Sequence, residues 1–226
     1  TEGLSRLIES YGEEAKKRGV AIAYDSRHFS PEFAMESART LATHGIKSYV
    51  FESLRPTPEL SFAVRHLHTF AGIMITASHN PAAYNGYKVY GEDGGQMPPK
   101  DADALTAYVR QVANPLEIEV LDDDALEASG LVTIIGKDVD DAYLKEIKTV
   151  SVNPKLLSDV EGLSVVYTPL HGTGLMLVEK ALEQANFKGL HVVEEQAKPD
   201  GDFSTVKSPN PEEAGAFEYA VELGKK

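Results

Sequence analysis

The chain has 226 residues, of which 42% are hydrophobic and 25% are charged, and it contains no cysteine. This length and composition fit one large or two modest globular domains, and they exclude a disordered segment, a disulfide scaffold and a cysteine-ligated zinc site. The 22 basic and 35 acidic side chains give a net charge of −13, so we expect no binding to nucleic acid or to an anionic membrane. Because no apolar stretch reaches membrane-spanning length and no signal-peptide pattern is present, the sequence predicts a soluble, cytoplasmic protein.

The first third of the chain alternates helical and strand patterns. Apolar residues at helical spacing from Leu4 to Tyr11 predict an opening helix that ends at Gly19. Short apolar runs then predict strands, and Ser-Pro and Thr-Pro pairs predict the starts of the helices between them. The predicted strands are 20–24, 48–51 and 71–76, and the predicted helices are 30–43 and 57–68. This order predicts a doubly wound, parallel sheet.

The middle of the chain has less regular patterns. Residues 87–90 alternate as an edge strand does, and residues 99–112 have the spacing of a helix. The acidic start of 122–128 is typical of a helix N-terminus, but neither this stretch nor 131–135 shows where it belongs in the fold. Residues 137–150 predict another helix.

A second alternation of strands and helices starts after residue 138, where we place a domain boundary. Its predicted elements are strands at 163–167 and 190–193, a glycine loop at 171–174, a helix to about residue 185 and a last helix from Asn210-Pro211. Two strands and a terminal helix make an unfinished sheet, so we expect a truncated second domain. The predicted fold class is α/β, with two consecutive α/β domains, 1–138 and 139–226, whose mixed, mainly parallel sheets are flanked by helices.

The loop after the third predicted strand is the first candidate site, because ligands of open α/β sheets collect beyond the carboxyl ends of the strands. Its sequence is ASHNP at 77–81, in which Asn-Pro forces a turn and presents the Ser78 hydroxyl on a rigid support. Serine needs a neighbouring base to act as a nucleophile, and the adjacent His79 is poorly placed for that role. Since no G-x-S-x-G elbow is present, a serine hydrolase is the weaker enzyme interpretation, and a plain turn residue is the structural alternative.

Two longer stretches surround this serine, AGIMITASHNP at 71–81 and NGYKVY at 85–90. Further motifs follow the same order along the chain: YDSR at 24–27, RPTP at 55–58, HGTG at 171–174 and PNPEE at 209–213. Together they resemble the α-D-phosphohexomutase superfamily, the phosphoglucomutases and phosphomannomutases, over most of the chain. In detail they are most similar to the phosphoglucomutase and phosphopentomutase branch.

The resemblance implies an enzyme that carries phosphate on Ser78. Such an enzyme interconverts hexose 1-phosphate and hexose 6-phosphate through a bisphosphate intermediate that reorients in the site. In the family, the arginine that matches Arg27 contacts the phosphoserine, and the lysine that matches Lys88 is a candidate acid/base. These residue types suit phosphoryl transfer, which depends on positioning and on cations near the phosphate. Without the resemblance, Arg27 could equally cap a loop, and Lys88 could be a solvated charge on an edge strand.

Four further residues are predicted to bind substrate or phosphate. His79 and Asn80 lie beside Ser78, although each could serve only to shape the loop. His171 and Gly172 open the HGTG motif before a helix, where backbone N–H groups can bind phosphate. Tight strand-to-helix turns also use glycine for purely structural reasons.

The resemblance also implies Mg²⁺ and a glucose 1,6-bisphosphate activator in the intact enzyme. Family members hold Mg²⁺ with a D-x-D-x-D-R loop and one oxygen of the serine phosphate, so Ser78 is the one predicted metal contact in this chain. The Asp200-Gly-Asp202 sequence lacks the rest of that loop. We therefore expect a fragment, inactive alone, whose partners are a sugar phosphate and the missing C-terminal domains. The alternatives are a phosphosugar- or anion-binding module without turnover, and a phosphopentomutase.

Overall fold

The computed structural model describes residues 1–154, 156 and 162–226, which divide into two compact units. The first unit consists of Thr1–Tyr24, Phe29–Thr76 and Gly86–Gly136. The second unit consists of Asp25–His28, Ala77–Asn85 and Lys137–Lys226. The predicted division into domains 1–138 and 139–226 stays a prediction, and the compact units differ from it because the loop that contains Ser78 groups with residues after 136.

The first unit contains a five-stranded sheet and the helices that cover it. Its strands are β1 (Val20–Tyr24), β2 (Ser48–Phe51), β3 (Ala71–Ile75), β4 (Tyr87–Tyr90) and β5 (Val132–Ile135). Its helices are α1 (Glu2–Ser10), α2 (Glu13–Arg18), α3 (Ser30–Thr43), α4 (Thr57–His66), α5 (Pro99–Val109) and α6 (Asp123–Ser129), with a 3₁₀ turn at Pro115–Glu117. Most predicted strands and helices are confirmed within a few residues of their bounds.

The strand order in this sheet is β4-β3-β1-β2-β5. The pairs β3–β1, β1–β2 and β2–β5 are parallel, and β4 is an antiparallel edge strand, so the prediction of a mixed, mainly parallel sheet is confirmed. The stretch that the sequence left unplaced forms β5 at the opposite edge, where Ser48 and Val132 are in register. Asp122 is the N-cap of α6, as its acidic start predicted, and its side chain accepts a hydrogen bond from the Ala125 amide at 2.8 Å.

Helices cover both faces of the sheet, because successive residues of a strand point to opposite sides. Ile73 of β3 belongs to a buried cluster with Leu4 of α1 and Leu41 of α3. A Cβ on the next residue towards the N-terminus, Gly72, would lie 2.6 Å from Cγ2 of Val64 in α4. Burial on both faces explains why the central strands are continuous apolar runs rather than alternating ones.

The opening segment forms two helices, so the prediction of one helix up to Gly19 is wrong. Tyr11 ends α1 and is 67% exposed, so it does not extend the buried stripe. Gly12 then adopts a φ of 87°, which no helix accommodates, and α2 starts after it.

The second unit contains a parallel pair of strands, β6 (Val165–Tyr167) and β7 (Leu190–Val192). Its helices are α7 (Lys137–Thr149), α8 (Leu175–Gln184) and α9 (Glu218–Leu223), with 3₁₀ turns at Glu194–Gln196 and Ala214–Phe217. Throughout the described part of the chain, no helix combines the length and the apolar character needed to cross a bilayer.

The predicted last helix from Asn210-Pro211 is wrong. The Asn210 side chain accepts a hydrogen bond from the Glu212 amide at 3.0 Å, and its carbonyl accepts one from the Glu213 amide at 3.0 Å. These bonds form an isolated turn. Gly215, a weak helix former, lies in the 3₁₀ turn that follows, and α9 begins only at Glu218.

Gly19 gives a direct test of how closely β1 is packed. Both Gly12 and Gly19 have a positive φ and a ψ near 180°, a region essentially restricted to glycine. A Cβ on Gly19 would lie 2.1 Å from the Lys47 carbonyl oxygen, whereas nothing lies within 4 Å of one on Gly12. We expect Gly12→Ala to cost about 1–3 kcal/mol of unfolding free energy for backbone reasons alone, and Gly19→Ala to cost more. Urea unfolding followed by circular dichroism measures both, and equal losses would contradict the close approach.

Candidate functional site

The loop Ala77–Asn85, here called the Ser78 loop, connects β3 to β4. Ser78, His79 and Asn80 are exposed at its start, and the Asn80 amide donates to the Ala77 carbonyl at 3.1 Å. Ser78 has a φ of 59°, in the left-handed region that serine rarely adopts. The backbone at Ser78 is therefore strained by about 1–3 kcal/mol, and the surrounding contacts must maintain it.

Arg27 supplies these contacts through four hydrogen bonds to backbone carbonyls of the Ser78 loop, here called the Arg27 clamp. Its Nη2 donates to the carbonyls of Ser78 at 2.9 Å and of Asn80 at 2.6 Å. Its Nη1 donates to the carbonyls of Pro81 and Tyr84, each at 2.9 Å. The two terminal nitrogens carry four protons, so each proton has an acceptor in the loop.

The environment of Arg27 is buried, since the residue is only 2% exposed. Its Nε lies 3.3 Å from Oδ2 of Asp25, and Oδ1 of the same carboxylate accepts from the Arg27 backbone amide at 3.0 Å. The ring of Phe203 covers the guanidinium, with Cζ 5.1 Å from the ring centroid. Burial lowers the pKa of Arg27 below its usual value, and the Asp25 carboxylate opposes this change. Carboxylate, carbonyl dipoles and ring together compensate for a desolvated charge.

His28 connects the segment Asp25–His28 to the Ser78 loop and to Asp202. Its carbonyl accepts a hydrogen bond from Nδ2 of Asn85 at 3.1 Å, and its Nε2 lies 2.8 Å from Oδ1 of Asp202. A Cβ on Gly201 would lie 3.0 Å from the His28 backbone nitrogen. The turn around Gly201 therefore packs directly against this segment.

His171 is 4% exposed, and both of its ring nitrogens have partners inside the second unit. Nδ1 lies 2.8 Å from the Lys198 carbonyl, which can only accept, so Nδ1 donates. Nε2 lies 2.8 Å from Oγ1 of Thr205, which in turn accepts from Nε2 of Gln196 at 3.1 Å. Oε1 of Gln196 accepts from the Thr168 hydroxyl at 2.6 Å. The ring of His171 thus belongs to a part-buried hydrogen-bond network that fixes the backbone around it.

The glycines of the HGTG motif have local structural roles. The Gly172 amide donates to the Pro169 carbonyl at 2.9 Å, and a Cβ on Gly172 would lie 3.0 Å from that oxygen. Gly174 caps α8, and a Cβ there would lie 2.3 Å from the Tyr167 hydroxyl. The motif therefore forms a tight turn, and phosphate binding by His171 and Gly172 stays a prediction.

Lys88 lies in β4, opposite Met74 of β3, and is half-buried. It belongs to the first unit, whereas Arg27 and the Ser78 loop belong to the second. The acid/base role of Lys88 stays a prediction, as do the ligand contacts of His79 and Asn80. The predicted contact of Arg27 with a phosphate also stays a prediction, and the structure directs the terminal guanidinium nitrogens to the loop backbone.

No cluster of three or more His, Asp or Glu side chains that could hold a metal ion occurs in residues 1–154, 156 and 162–226. The Asp200 carboxylate instead accepts from the amides of Asp202 and Ser204 and from the Ser204 hydroxyl, at 2.6–2.9 Å. Asp202 faces His28. Because Mg²⁺ requires several oxygen ligands in octahedral geometry, the described residues do not form a magnesium cage around Ser78.

Sequence reasoning missed Asp25, Phe203 and Thr205 as parts of this site. Asp25 had a recognisable signal, because an aspartate two residues before an arginine can accept from that residue's amide in an Asx turn. Phe203 and Thr205 had no local signal. Their contacts with Arg27 and His171 join positions far apart in the sequence.

The sequence and fold are similar to those of known proteins. Residues 2–115 match the family described as phosphoglucomutase/phosphomannomutase, alpha/beta/alpha domain I, and residues 141–226 match domain II of that family. A phosphoglucomutase from Staphylococcus aureus (strain USA300) is 43% identical over 225 residues, which are 99% of this chain and 39% of that protein. The chain thus spans well under half the length of this relative.

Solved structures agree with these matches. A Thermus thermophilus protein assigned to the phosphomannomutases has a TM-score of 0.79 at 26% identity, covering 98% of this chain and 46% of its own. A phosphoglucomutase/phosphomannomutase family protein from Burkholderia thailandensis has a TM-score of 0.69 at 20% identity, covering 100% of this chain and 45% of its own. The second similarity concerns the fold alone.

The Arg27 clamp predicts that lysine cannot replace arginine. Lysine keeps the charge, but a single ammonium group cannot reach four carbonyls spread over the Ser78 loop. We expect Arg27→Lys to lower the unfolding free energy by about 2–4 kcal/mol, because a buried charge loses most of its hydrogen-bond partners. The exposed Arg65 provides the matched control, and Arg65→Lys should change stability by less than about 0.5 kcal/mol. Equal stabilities of the two variants in chemical denaturation would contradict the clamp.

Asp200 predicts a pH-dependent contribution to stability. Hydrogen bonds from Ser204 and Asp202 lower its pKa from 3.8 to about 2. Because the folded-state pKa lies below the unfolded one, the stabilisation is complete above about pH 4 and is lost as the pH falls towards 2. The stability of the wild type relative to Asp200→Asn, about 1 kcal/mol at neutral pH, should therefore shrink over this range. Thermal unfolding as a function of pH measures the difference, and a pH-independent gap would refute the assignment.

Proposed function

The chain belongs to the phosphoglucomutase/phosphomannomutase family, and on that premise we propose that Ser78 carries the phosphate of a phosphohexomutase. The intact enzyme would interconvert hexose 1-phosphate and hexose 6-phosphate, with phosphoglucomutase the favoured activity. The single observation that carries this proposal is that Ser78 is exposed just after the carboxyl end of β3, on the loop whose backbone the Arg27 clamp holds.

The geometry of the Ser78 loop suits phosphoryl transfer. This reaction needs the attacking oxygen, the phosphorus and the leaving oxygen in line, so the enzyme contributes mainly by positioning. The Arg27 clamp fixes the backbone of Ser78 and so restricts where its Oγ can lie. A phosphoserine would add a charge of about −1.5 to −2 at this position. The buried, positively charged guanidinium of Arg27 contacts the backbone carbonyls of the same loop.

In the proposed half-reaction, a sugar hydroxyl attacks the phosphorus of phosphorylated Ser78. A new O–P bond forms to the sugar, the Oγ–P bond breaks, and the phosphoryl group leaves the serine. The hydroxyl proton passes to a base, for which Lys88 is the candidate in this chain, and the departing Oγ takes up a proton to restore the Ser78 hydroxyl. The reverse half-reaction returns the other phosphate of the bisphosphate to Ser78. Arg27 acts in both as a positioning residue, through the loop backbone.

Mg²⁺ and glucose 1,6-bisphosphate enter this proposal only through the resemblance. A resident Mg²⁺ would neutralise charge on the transferring phosphoryl group when bound. The described residues include no cluster of three or more His, Asp or Glu side chains that could hold the ion, and a phosphate on Ser78 is the one contact that we propose for it in this chain.

Ser78→Ala tests the proposal directly. The full-length protein is incubated with glucose 1,6-bisphosphate, and its intact mass is measured by mass spectrometry. We expect the wild type and the exposed-serine control Ser151→Ala to gain one phosphoryl group, and Ser78→Ala to gain none while keeping its thermal stability. Turnover of glucose 1-phosphate should fall at least about a thousandfold in Ser78→Ala, because the nucleophile is lost.

Two results would contradict the proposal. Phosphate uptake by Ser78→Ala would place the phosphorylation on another residue. A wild type that binds glucose 1-phosphate but never gains a covalent phosphate would indicate a phosphosugar-binding module without turnover.

A further inference from the structure

The guanidinium of Arg27 donates hydrogen bonds from both terminal nitrogens, and its Cζ lies over the ring of Phe203. The four hydrogen bonds of the Arg27 clamp lie along the edges and direct Nη1 and Nη2 to the loop carbonyls. In-plane bonds resist sliding of the group, but they resist tilting of its plane much less. The ring of Phe203, 5.1 Å from Cζ, is the contact that opposes such a tilt.

Phe203 reaches this position through an unusual backbone conformation. Its φ is 50°, in the left-handed region, where a bulky residue is a genuine outlier. The residue is nevertheless 6% exposed, with its ring packed on Arg27. A glycine would adopt this backbone without strain, so the presence of phenylalanine indicates that the ring has a role.

Residues 200–203, here called the Phe203 turn, are fixed by hydrogen bonds of their own. The Phe203 amide donates to the Asp200 carbonyl at 3.2 Å, and its carbonyl accepts from the Val206 amide at 3.0 Å. The Asp200 carboxylate accepts from Asp202 and Ser204, as described above. These bonds maintain the strained φ of Phe203 independently of its ring contact.

The Phe203 turn is also attached on both sides. On one side, Asp202 lies against His28, and Gly201 packs so close to the same residue that a Cβ would lie 3.0 Å from its backbone nitrogen. On the other side, Thr205, two residues after the turn, contacts Nε2 of His171 in the part-buried hydrogen-bond network. The ring of Phe203 is therefore held at a defined place relative to Arg27.

We propose that Phe203 is a positioning residue for Ser78, acting through Arg27. The ring fixes the guanidinium plane, the plane fixes the directions of the four donors, and the donors fix the left-handed backbone of Ser78. The inference rests on the proposed function of Ser78, and it adds a residue of the second unit, far away in the sequence, that determines how accurately the hydroxyl is placed.

The test uses the full-length protein with three variants. Phe203→Leu keeps a buried apolar side chain but removes the ring face, and Phe203→Tyr keeps the ring. Phe187→Leu is the matched control, because Phe187 is a comparably buried phenylalanine of the same unit at 8% exposure and contacts the region of Gly189. Hydrogen exchange of the backbone amides of residues 77–85 reports the order of the loop without requiring activity. Turnover of glucose 1-phosphate reports the consequence for catalysis.

We expect Phe203→Leu to accelerate amide exchange in the Ser78 loop about tenfold and to lower kcat about tenfold, with KM within about twofold of the wild type. Phe203→Tyr should stay close to the wild type in both measurements. Phe187→Leu should leave amide exchange in the Ser78 loop and kcat unchanged. This should hold even if Phe187→Leu and Phe203→Leu lower the melting temperature equally. The split between kcat and KM separates positioning of Ser78 from loss of substrate binding.

The proposal is overturned by unchanged loop exchange in Phe203→Leu, or by equal effects of Phe203→Leu and Phe187→Leu, which would indicate a general packing role. Failure of the proposed function has a different signature. In that case the wild type shows neither turnover nor phosphate on Ser78, while the exchange measurement still decides whether Phe203 orders the loop.

Discussion

The contact on which the candidate site depends is the Arg27 clamp. Ser78 occupies a left-handed backbone conformation that serine does not favour, and its carbonyl is one of four that accept hydrogen bonds from one buried guanidinium. The same hydrogen bonds offset the cost of burying the Arg27 charge and the cost of the strained backbone at Ser78. The desolvated charge of Arg27 gains carbonyl dipoles and the Asp25 carboxylate, and the loop gains four hydrogen bonds that hold its backbone. Arginine is suited to this position because its planar group directs donors along two edges at once.

The clamp also explains why the Ser78 loop groups with the second unit although it follows β3 in the chain. The Phe203 turn packs against Arg27 and His28, and the network of His171, Gln196 and Thr205 fixes the backbone beyond it. Each of these contacts is made inside the second unit. The residues that order the candidate nucleophile thus come from three separate stretches of sequence, and a change in any one of them is expected to reach Ser78 through the same guanidinium.

The sequence predicts the parts of this structure that local patterns determine. β1, β2 and β4 have the predicted bounds, because apolar runs and edge alternation report burial directly. The contacts within the candidate site could not be predicted from such local patterns. Arg27 was identified through the resemblance, but its partners are carbonyls, which have no signature in side-chain spacing. The prediction of a helix from Asn210 is wrong for a related reason. Capping residues show where a helix can start, but they do not show whether apolar packing stabilises the turns that follow.

The most direct test of the central claim is a crystal structure of the full-length protein phosphorylated on Ser78. If Arg27 positions the loop, Nη1 and Nη2 should stay within about 3.2 Å of the carbonyls of Ser78, Asn80, Pro81 and Tyr84 when the phosphate is present. The contrary result is a guanidinium that has left these carbonyls to bind the phosphate oxygens. That outcome would make Arg27 a phosphate ligand, and the left-handed conformation of Ser78 would need another explanation.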